Sequence, residues 1–297
     1  MANEHTHETG SVSVGAVIAS YDPTANLGTL TATLRSSGVV VYVVDDASPS
    51  AAARELLDDL ERDGVTVLRK PRNSGIGSSL NLGVAAALAA GHDVVMTLDQ
   101  DSGLDDQYVP TALAELERLN RAGRRPGLVA PSLNSGEAVR GLVTTEDGFL
   151  TCRFPIQSGC LFPAEALRRT GRFREDFVMD AIDHDYALRL RRHGFDVYGV
   201  PDLDLTHSLG SPEDRTFLGK PVVVSHHSQT RQYYQFRNRI VLLREYWRRD
   251  PAWSRELVVA HVREARRILF FEDHRARKAW IILRASFAGL LGRTVQR

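Results

Sequence analysis

The chain of 297 residues carries 43% hydrophobic and 25% charged side chains, an ordinary globular balance with enough length to bury a large core. Its 37 basic and 37 acidic side chains cancel, yet residues 231–297 hold 16 Arg/Lys against 6 Asp/Glu and leave 21 against 31 in residues 1–230. Two cysteines (Cys152, Cys160) without ligand spacing, a polar start without an apolar core, and no apolar run of about 20 residues argue against a disulfide scaffold, a secretory leader and a spanning helix. A cytoplasmic protein, soluble or held peripherally at a membrane, is the expectation.

Residues 1–11 are polar and read as disordered. An apolar β-rich run over 12–20, ending in Ser20-Tyr21 and a turn at Asp22-Pro23, opens the folded part, and 25–37 follows as a helix. A second strand over 39–44 ends in Asp45-Asp46. A helix over 51–63, stopped by Gly64, leads to a third strand over 65–68. Asn73-Ser74-Gly75-Ile76-Gly77 turns into a helix over 78–90, and the fourth strand covers 94–98. This alternation predicts an α/β fold with a doubly wound, mostly parallel sheet. Short, less regular strands are expected between 127 and 162, a helix over 180–193 closed by Gly194, and a strand over 197–200. Residues 212–230 read as a mobile loop. From 233 onward the chain is helical and basic. Its last helix, 278–291, gathers Trp280, Ile281, Ile282, Leu283, Phe287, Leu290 and Leu291, read as packing on the main body in preference to a membrane interface.

The run Val94-Val95-Met96-Thr97-Leu98-Asp99-Gln100-Asp101-Ser102 is the most informative stretch. Side chains two apart on a strand point the same way. Two carboxylates at the carboxyl edge of an α/β sheet make part of an oxygen shell for a hard divalent cation, completed by phosphate and water. An acidic turn capping the next element is the bland alternative. Asp45 and Asp46, also at a strand end, can accept from a base or a ribose hydroxyl, or simply form a turn with Ser48-Pro49. Gly75-x-Gly77 lacks the third glycine of a dinucleotide fingerprint, where Leu80 stands, so a nicotinamide enzyme is a weak reading. Asn73 and this turn offer backbone N–H groups to a nucleotide instead.

Asp180-Ala181-Ile182-Asp183-His184-Asp185 is a second acidic cluster, able to supply a general base or, for Asp183, a helix cap. His207 is a metal or phosphate ligand or a structural histidine. Arg231, Tyr233, Tyr234, Arg237 and Asn238 offer guanidinium and aromatic groups to a diphosphate, or form a solvated helix face.

Taken in order, several segments resemble the inverting family-2 glycosyltransferases of GT-A fold, in particular their bacterial rhamnosyltransferase-like branch. They are Val44-Asp45-Asp46-Ala47-Ser48-Pro49, Asn73-Ser74-Gly75-Ile76-Gly77 with Asn81-Leu82-Gly83, Leu98-Asp99-Gln100-Asp101-Ser102, and Ser158-Gly159-Cys160-Leu161. Phe177-Val178-Met179-Asp180-Ala181-Ile182-Asp183, His207-Ser208-Leu209-Gly210 and Arg231-Gln232-Tyr233-Tyr234-Gln235-Phe236-Arg237-Asn238 continue the series. The resemblance spans roughly residues 12–245. It implies a Rossmann-like nucleotide-binding half over 12–101, an acceptor-binding half over 102–230, and a basic helical extension over 231–297.

The resemblance further implies that Asp45 contacts the base of a nucleotide-sugar donor, with Ser20, Tyr21, Asn73, Gly75 and Asp99 around the nucleotide. Asp101 and His207 would hold Mg2+ or Mn2+ on the diphosphate, and Asp183 would be the catalytic base. Asp180, Ser158, Gly159, Arg231, Tyr234, Arg237 and Asn238 would serve the acceptor or phosphate. The expected reaction is a single displacement with inversion, moving L-rhamnose from dTDP-L-rhamnose, or a sugar from a UDP-hexose or another deoxysugar nucleotide. A glycan, lipid-linked or natural-product acceptor in cell-wall or polysaccharide synthesis would receive it. Where many relatives carry Asp-Asn and Glu-Trp, this chain has Asp45-Asp46 and Asp185-Tyr186. Rival readings are a phosphatase with Asp-x-Asp, which lacks a suitable late lysine, and a non-catalytic sugar-nucleotide-binding protein.

Overall fold

The computed structural model describes residues 12–207, 213–217, 220–224 and 228–292, with side chains for 12–206 and 228–292. The expected disorder of 1–11, Ser208-Leu209-Gly210, His226-His227 and the side chain of His207 lie outside the described residues.

Strands β1 (Val14–Ser20), β2 (Val40–Asp45), β3 (Thr66–Arg69) and β4 (Val94–Asp99) run parallel in the order β3-β2-β1-β4. Helices α1 (Asn26–Ser36), α2 (Ala51–Arg62) and α3 (Ile76–Ala89) connect them. The near-continuous apolar runs follow from burial on both faces. In β1, Val17 enters one core with Leu80, Val84 and Trp253, and its neighbour Ile18 enters the other with Leu27, Leu34 and Met96.

Beyond β4 the sheet turns mixed. Strand β5 (Ser102–Gly103) follows β4 directly, and the edge is extended by β10 (Cys160–Pro163), β6 (Pro126–Asn134) and β11 (Asp196–His207), then β9 (Leu150–Cys152) and β8 (Leu142–Thr144). β10 is antiparallel to both β4 and β6, β11 is parallel to β6 and antiparallel to β5, and β7 (Glu137–Ala138) pairs with β6. Helices α4 (Tyr108–Arg121) and α5 (Ala164–Thr170) are additions to the sequence expectation. The α4 period is plain in hindsight, with Tyr108, Val109, Ala112, Leu116 and Leu119 buried. Helix α6 (Ile182–Arg192) follows. The segment expected as a mobile loop over 212–230 instead contains an antiparallel hairpin, β12 (Glu213–Phe217) and β13 (Lys220–Val224).

Helices α7 (Gln229–Tyr246), α8 (Pro251–Phe271) and α9 (Arg275–Leu290) complete the described chain. Residue 231 does not mark a break in the core, because Val241, Leu242, Trp253 and Leu257 join the same cluster as Val17 and Leu80. The expected packing face of α9 needs a larger correction. Ile282, Ala285 and Gly289 make the inner contact, while Trp280 (66% exposed), Leu283 (64%) and Phe287 (62%) stand outward with Leu290 and Leu291. Close approach of Gly289 to the Arg237 carbonyl selects the narrower stripe as the packing face.

A buried ion pair ties the first half together. Asp46, just beyond β2, accepts from the N–H of Ser74 and of Gly75 at 2.8 Å each and pairs with Lys70 at 2.6 Å. Its two side-chain partners are 7% and 8% exposed, so neither charge has water to fall back on. Asp46→Ala would orphan Lys70 and two amides, and urea unfolding should show a loss of about 3–5 kcal/mol; a loss under about 1 kcal/mol would mean the pair does not hold the turn.

Candidate active site

Strands β1 and β4 end side by side, with Ala19 opposite Asp99, and open a cleft of about 250 Å³ lined by Ser20, Tyr21, Asp46, Ile76, Asp99 and Asp101. β4 stops at Asp99, so Asp101 sits on a turn and not on the strand. The alternation argument therefore does not apply to it, and the turn delivers both carboxylates to one cleft by another route. That turn is fixed from below. Ser158 Oγ accepts the Asp99 N–H at 2.9 Å and lies 2.6 Å from Ser102 Oγ. Gly159 donates to the Thr97 carbonyl and accepts from the Tyr108 hydroxyl. Ser158 and Gly159 are thus buried supports of the Asp99–Ser102 turn, a correction to their expected place at the acceptor; at φ +80°, with Tyr108 Oη 2.2 Å from any added Cβ, Gly159 admits no side chain.

The nucleotide candidates divide. Ser20 Oγ is buried without a hydrogen-bond partner at the cleft. Tyr21 is exposed, its ring free to meet a planar group. Asp45 Oδ1 is engaged by the Ser48 N–H at 3.1 Å and by its hydroxyl, and Asp46 rather than Asp45 lines the cleft. The N–H groups of Ser74 and Gly75 are spent on Asp46, which removes them as the expected phosphate donors beside Asn73. Gly75 is required for contact: at φ +89° its Cβ would meet the Val178 carbonyl at 2.6 Å.

Val178 belongs to the loop that carries the second acidic cluster. Val178, Asp180 and Ala181 have φ of +25°, +60° and +64°, three positive values among non-glycine residues within four positions. Such backbone persists only where its surroundings over-determine it. Here Asn238, wholly buried, donates from Nδ2 to the carbonyls of Phe177, Met179 and Asp180 at 3.3, 2.8 and 3.0 Å. Arg237, 1% exposed, donates to the Asp176 carbonyl at 3.1 Å and to Asn238 Oδ1 at 2.8 Å. Arg237 and Asn238 therefore brace the loop from behind and do not form the expected phosphate clamp, and Tyr234 is buried with its ring against Tyr233. Arg231 is exposed and lies 3.4 Å from Asp180.

Asp183 sits in the first turn of α6, where the cap is the backbone of Ala181, so it is not the cap residue. Its Oδ1 accepts the His184 N–H at 2.7 Å, and it lines a second cavity of about 290 Å³ with His184, Arg140 and Arg239. Burial pushes the His184 imidazole below its ordinary value, only partly opposed by Asp183. Asp185, at the position of sequence departure, points inward to Arg189 at 2.7 Å; burial raises its carboxyl against the pull of Arg189 and Arg174. The cleft and the cavity have separate linings, joined where Gly75 and Ile76 press on Val178.

Among the described residues no three His, Cys, Asp or Glu side chains converge as a ligand set. The two carboxylates at the cleft are hard oxygen donors, and they fit Mg2+ or Mn2+ with phosphate and water completing the shell. The β11 backbone pairs His207 with Ser102, next to Asp101 in sequence.

Residues 16–168 match the family model of Glycosyl transferase family 2. A dTDP-rhamnosyl transferase, RfbF, of Shigella flexneri is 26% identical over 241 residues, which cover 77% of this chain and 79% of that protein. S. aureus TarS 1-349 superposes with a TM-score of 0.63 at 12% identity, over 93% of this chain and 80% of its own. A mannosyltransferase of Pyrobaculum calidifontis, solved with GDP-Man and Mn2+, gives 0.58 at 12% identity over 94% and 87%.

Three amides frame the site by holding backbone, a role the sequence did not assign to any of them. Gln100 brackets the Tyr21 backbone, accepting its N–H at 2.7 Å and donating to its carbonyl at 3.1 Å. Asn81 does the same to Phe173, at 2.7 and 3.0 Å. Asn238 does it for the loop. Asn238→Ala should speed amide exchange across 177–183 and leave 99–102 unchanged, with a stability loss of at least about 2 kcal/mol; unaltered exchange in the loop would show that it holds its shape without the amide.

Proposed function

The chain belongs to glycosyl transferase family 2, and from that premise we propose that it transfers L-rhamnose from dTDP-L-rhamnose to a hydroxyl of a glycan, glycolipid or small-molecule acceptor. The observation that carries this reading is the acidic turn Asp99–Asp101, which lines a cleft at the β1 and β4 edge, while Asp183, on the helix after the loop that packs against the start of α3, lines a separate cavity. The choice of donor is supported by the rhamnosyl transferase relative. TarS has been solved with UDP and with UDP-GlcNAc, so a UDP-sugar is the second reading.

The cleft takes the nucleotide diphosphate, with Tyr21 available to stack on the base and Ser20 Oγ offering a hydroxyl that has no partner among the described residues. Asp99 and Asp101 would hold a Mg2+ or Mn2+ ion, which would supply positive charge against that growing on the departing diphosphate. Asp183 accepts the proton of the acceptor hydroxyl on Oδ2, the oxygen left open by the His184 contact. The hydroxyl oxygen then bonds to the anomeric carbon on the face opposite the nucleotide, whose bond to that carbon breaks, and the configuration inverts. Arg237 and Asn238 keep Asp183 in reach by holding the loop, which matters because misplacement of about 1 Å can cost about a hundredfold in rate.

The outward stripe of α9 extends the proposal to the membrane. Trp280, Leu283, Phe287 and Leu290 are exposed, and Arg275, Arg277, Lys278 and Arg284 give the helix four cations and no acid. No described helix is long and apolar enough to cross a membrane. An apolar stripe with a basic flank suits the surface of an anionic bilayer, where a lipid-linked acceptor would lie. The protein should co-sediment with phosphatidylglycerol vesicles and much less with phosphatidylcholine vesicles, and Trp280→Ser with Phe287→Ser should release it; equal binding of both lipids, or no loss in the double variant, would remove the membrane from the account.

Asp183→Asn tests the chemistry. With dTDP-rhamnose and an acceptor, nucleotide release should fall by about 10²–10⁴ while nucleotide binding stays within about twofold. Full activity in the variant would take the base away from Asp183.

A further inference from the structure

The cavity beside Asp183 holds more unmet polarity than a neutral sugar would ask for. Three buried side-chain atoms in its lining residues have no hydrogen-bond partner among the described residues: Asn134 Oδ1, His184 Nδ1 and Arg239 Nη1. Buried polar atoms are nearly always paired, so three in the lining of one cavity mark a place where water or a ligand supplies the partners. Arg239 is the decisive member. A guanidinium stays charged at any working pH; Arg239 is half-buried, and its Nη1 is enclosed without a partner among the described residues, so part of its desolvation is uncompensated. Burial pushes its pKa down; the nearby acids Glu264 and Asp180 oppose this, and so does Asp183. The first two are already engaged, Glu264 by Arg267 at 2.6 Å and Asp180 by Arg231 at 3.4 Å.

Arg140 adds a second guanidinium at the exposed rim, 4.9 Å over the Phe154 ring and donating to the Glu256 carbonyl at 2.9 Å. Val139, Ile156 and Leu257 supply the apolar wall between these groups. The lining thus holds two guanidinium groups, the inner carboxylate of Asp183 and, on the exposed side, Glu137. We propose that it is an acceptor subsite for an anionic saccharide, in which a phosphate or carboxylate docks on Arg239 and Arg140 while a hydroxyl of the same molecule faces Asp183. The two ends fix the orientation, because an anion is repelled by Asp183 and matched by the fork of a guanidinium. Specificity for a charged acceptor follows, since an uncharged analogue leaves the half-buried cation unpaired.

This inference rests on the transferase reading for its use of Asp183, and the test separates the two. Glucose, glucose 1-phosphate and glucuronate are titrated into the full chain by saturation-transfer NMR, with dTDP titrated in a separate sample. Glucose 1-phosphate or glucuronate should bind at least about tenfold more tightly than glucose, and that advantage should vanish in Arg239→Gln. Whichever anion binds better tells phosphate from carboxylate. Arg140→Gln, an exposed change that leaves the core intact, should weaken the anion severalfold and keeps the test open if Arg239→Gln does not fold. Equal binding of glucose and both anions, or an undiminished advantage in both variants, would overturn the anionic subsite and leave the transferase reading intact. Failure of dTDP to bind would strike the transferase reading alone.

Discussion

The candidate site depends on one short stretch of strained backbone, residues 176–181, being held in place from two sides. In front, Gly75 and Gly77 let the start of α3 come so close that an added Cβ would meet the Val178 carbonyl at 2.6 Å and the Arg174 carbonyl at 2.3 Å. Behind, Asn238 and Arg237 satisfy the carbonyls of Asp176, Phe177, Met179 and Asp180. Neither side suffices alone, because positive φ at Val178, Asp180 and Ala181 has no local chemistry to favour it. The strain places Asp183 in the first turn of α6, where its charge also complements the helix dipole.

Everything else at the site is arranged so that this loop has a fixed partner. Asp46 and Lys70 lock the turn before α3, so the glycine surface is rigid when the loop meets it. The serine pair Ser102 and Ser158 locks the Asp99–Asp101 turn across the sheet. Two carboxylate-bearing turns are thus each held by buried hydrogen bonds, and the first of them packs against the braced loop that leads to Asp183. A GT-A frame built this way pre-organises its charges before any ligand arrives, which is where electrostatic stabilisation of a leaving diphosphate gains most of its effect.

Much of the frame was legible in the sequence, because parallel strands buried on both faces leave unbroken apolar runs and their edges fall where acids begin. Asp99 and Asp101 stood out as candidates because they follow the abrupt end of an apolar segment, and Asp183 because it lies in an acidic cluster. The failures have physical causes. Arg237 and Asn238 sit on a helix whose apolar period is weak, so sequence cannot say that they turn inward, and a buried Asn bracing carbonyls looks the same as one bracing a ligand. Ser158 and Gly159 were assigned to the acceptor when their bonds run to Asp99 and Thr97. On α9 the sequence shows an apolar face but not that Ala285 and Gly289, the smaller residues, make the inner contact. The hairpin of β12 and β13 stands in an expected loop because β12 (Glu213-Asp214-Arg215-Thr216-Phe217) is charged without alternation and β13 opens on Lys220-Pro221, which hides the short apolar run Val222-Val223-Val224.

The central claim is that the cleft between β1 and β4 takes a nucleoside diphosphate together with a divalent cation. Calorimetric titration of the full chain with dTDP and with UDP, each in Mg2+, in Mn2+ and in chelator, tests it most directly. The account predicts binding that needs the metal, favours dTDP over UDP, and is lost in Asp101→Asn. Metal-dependent preference for UDP would keep the transferase and change its donor; absence of binding by either nucleotide, with either metal, would contradict the account.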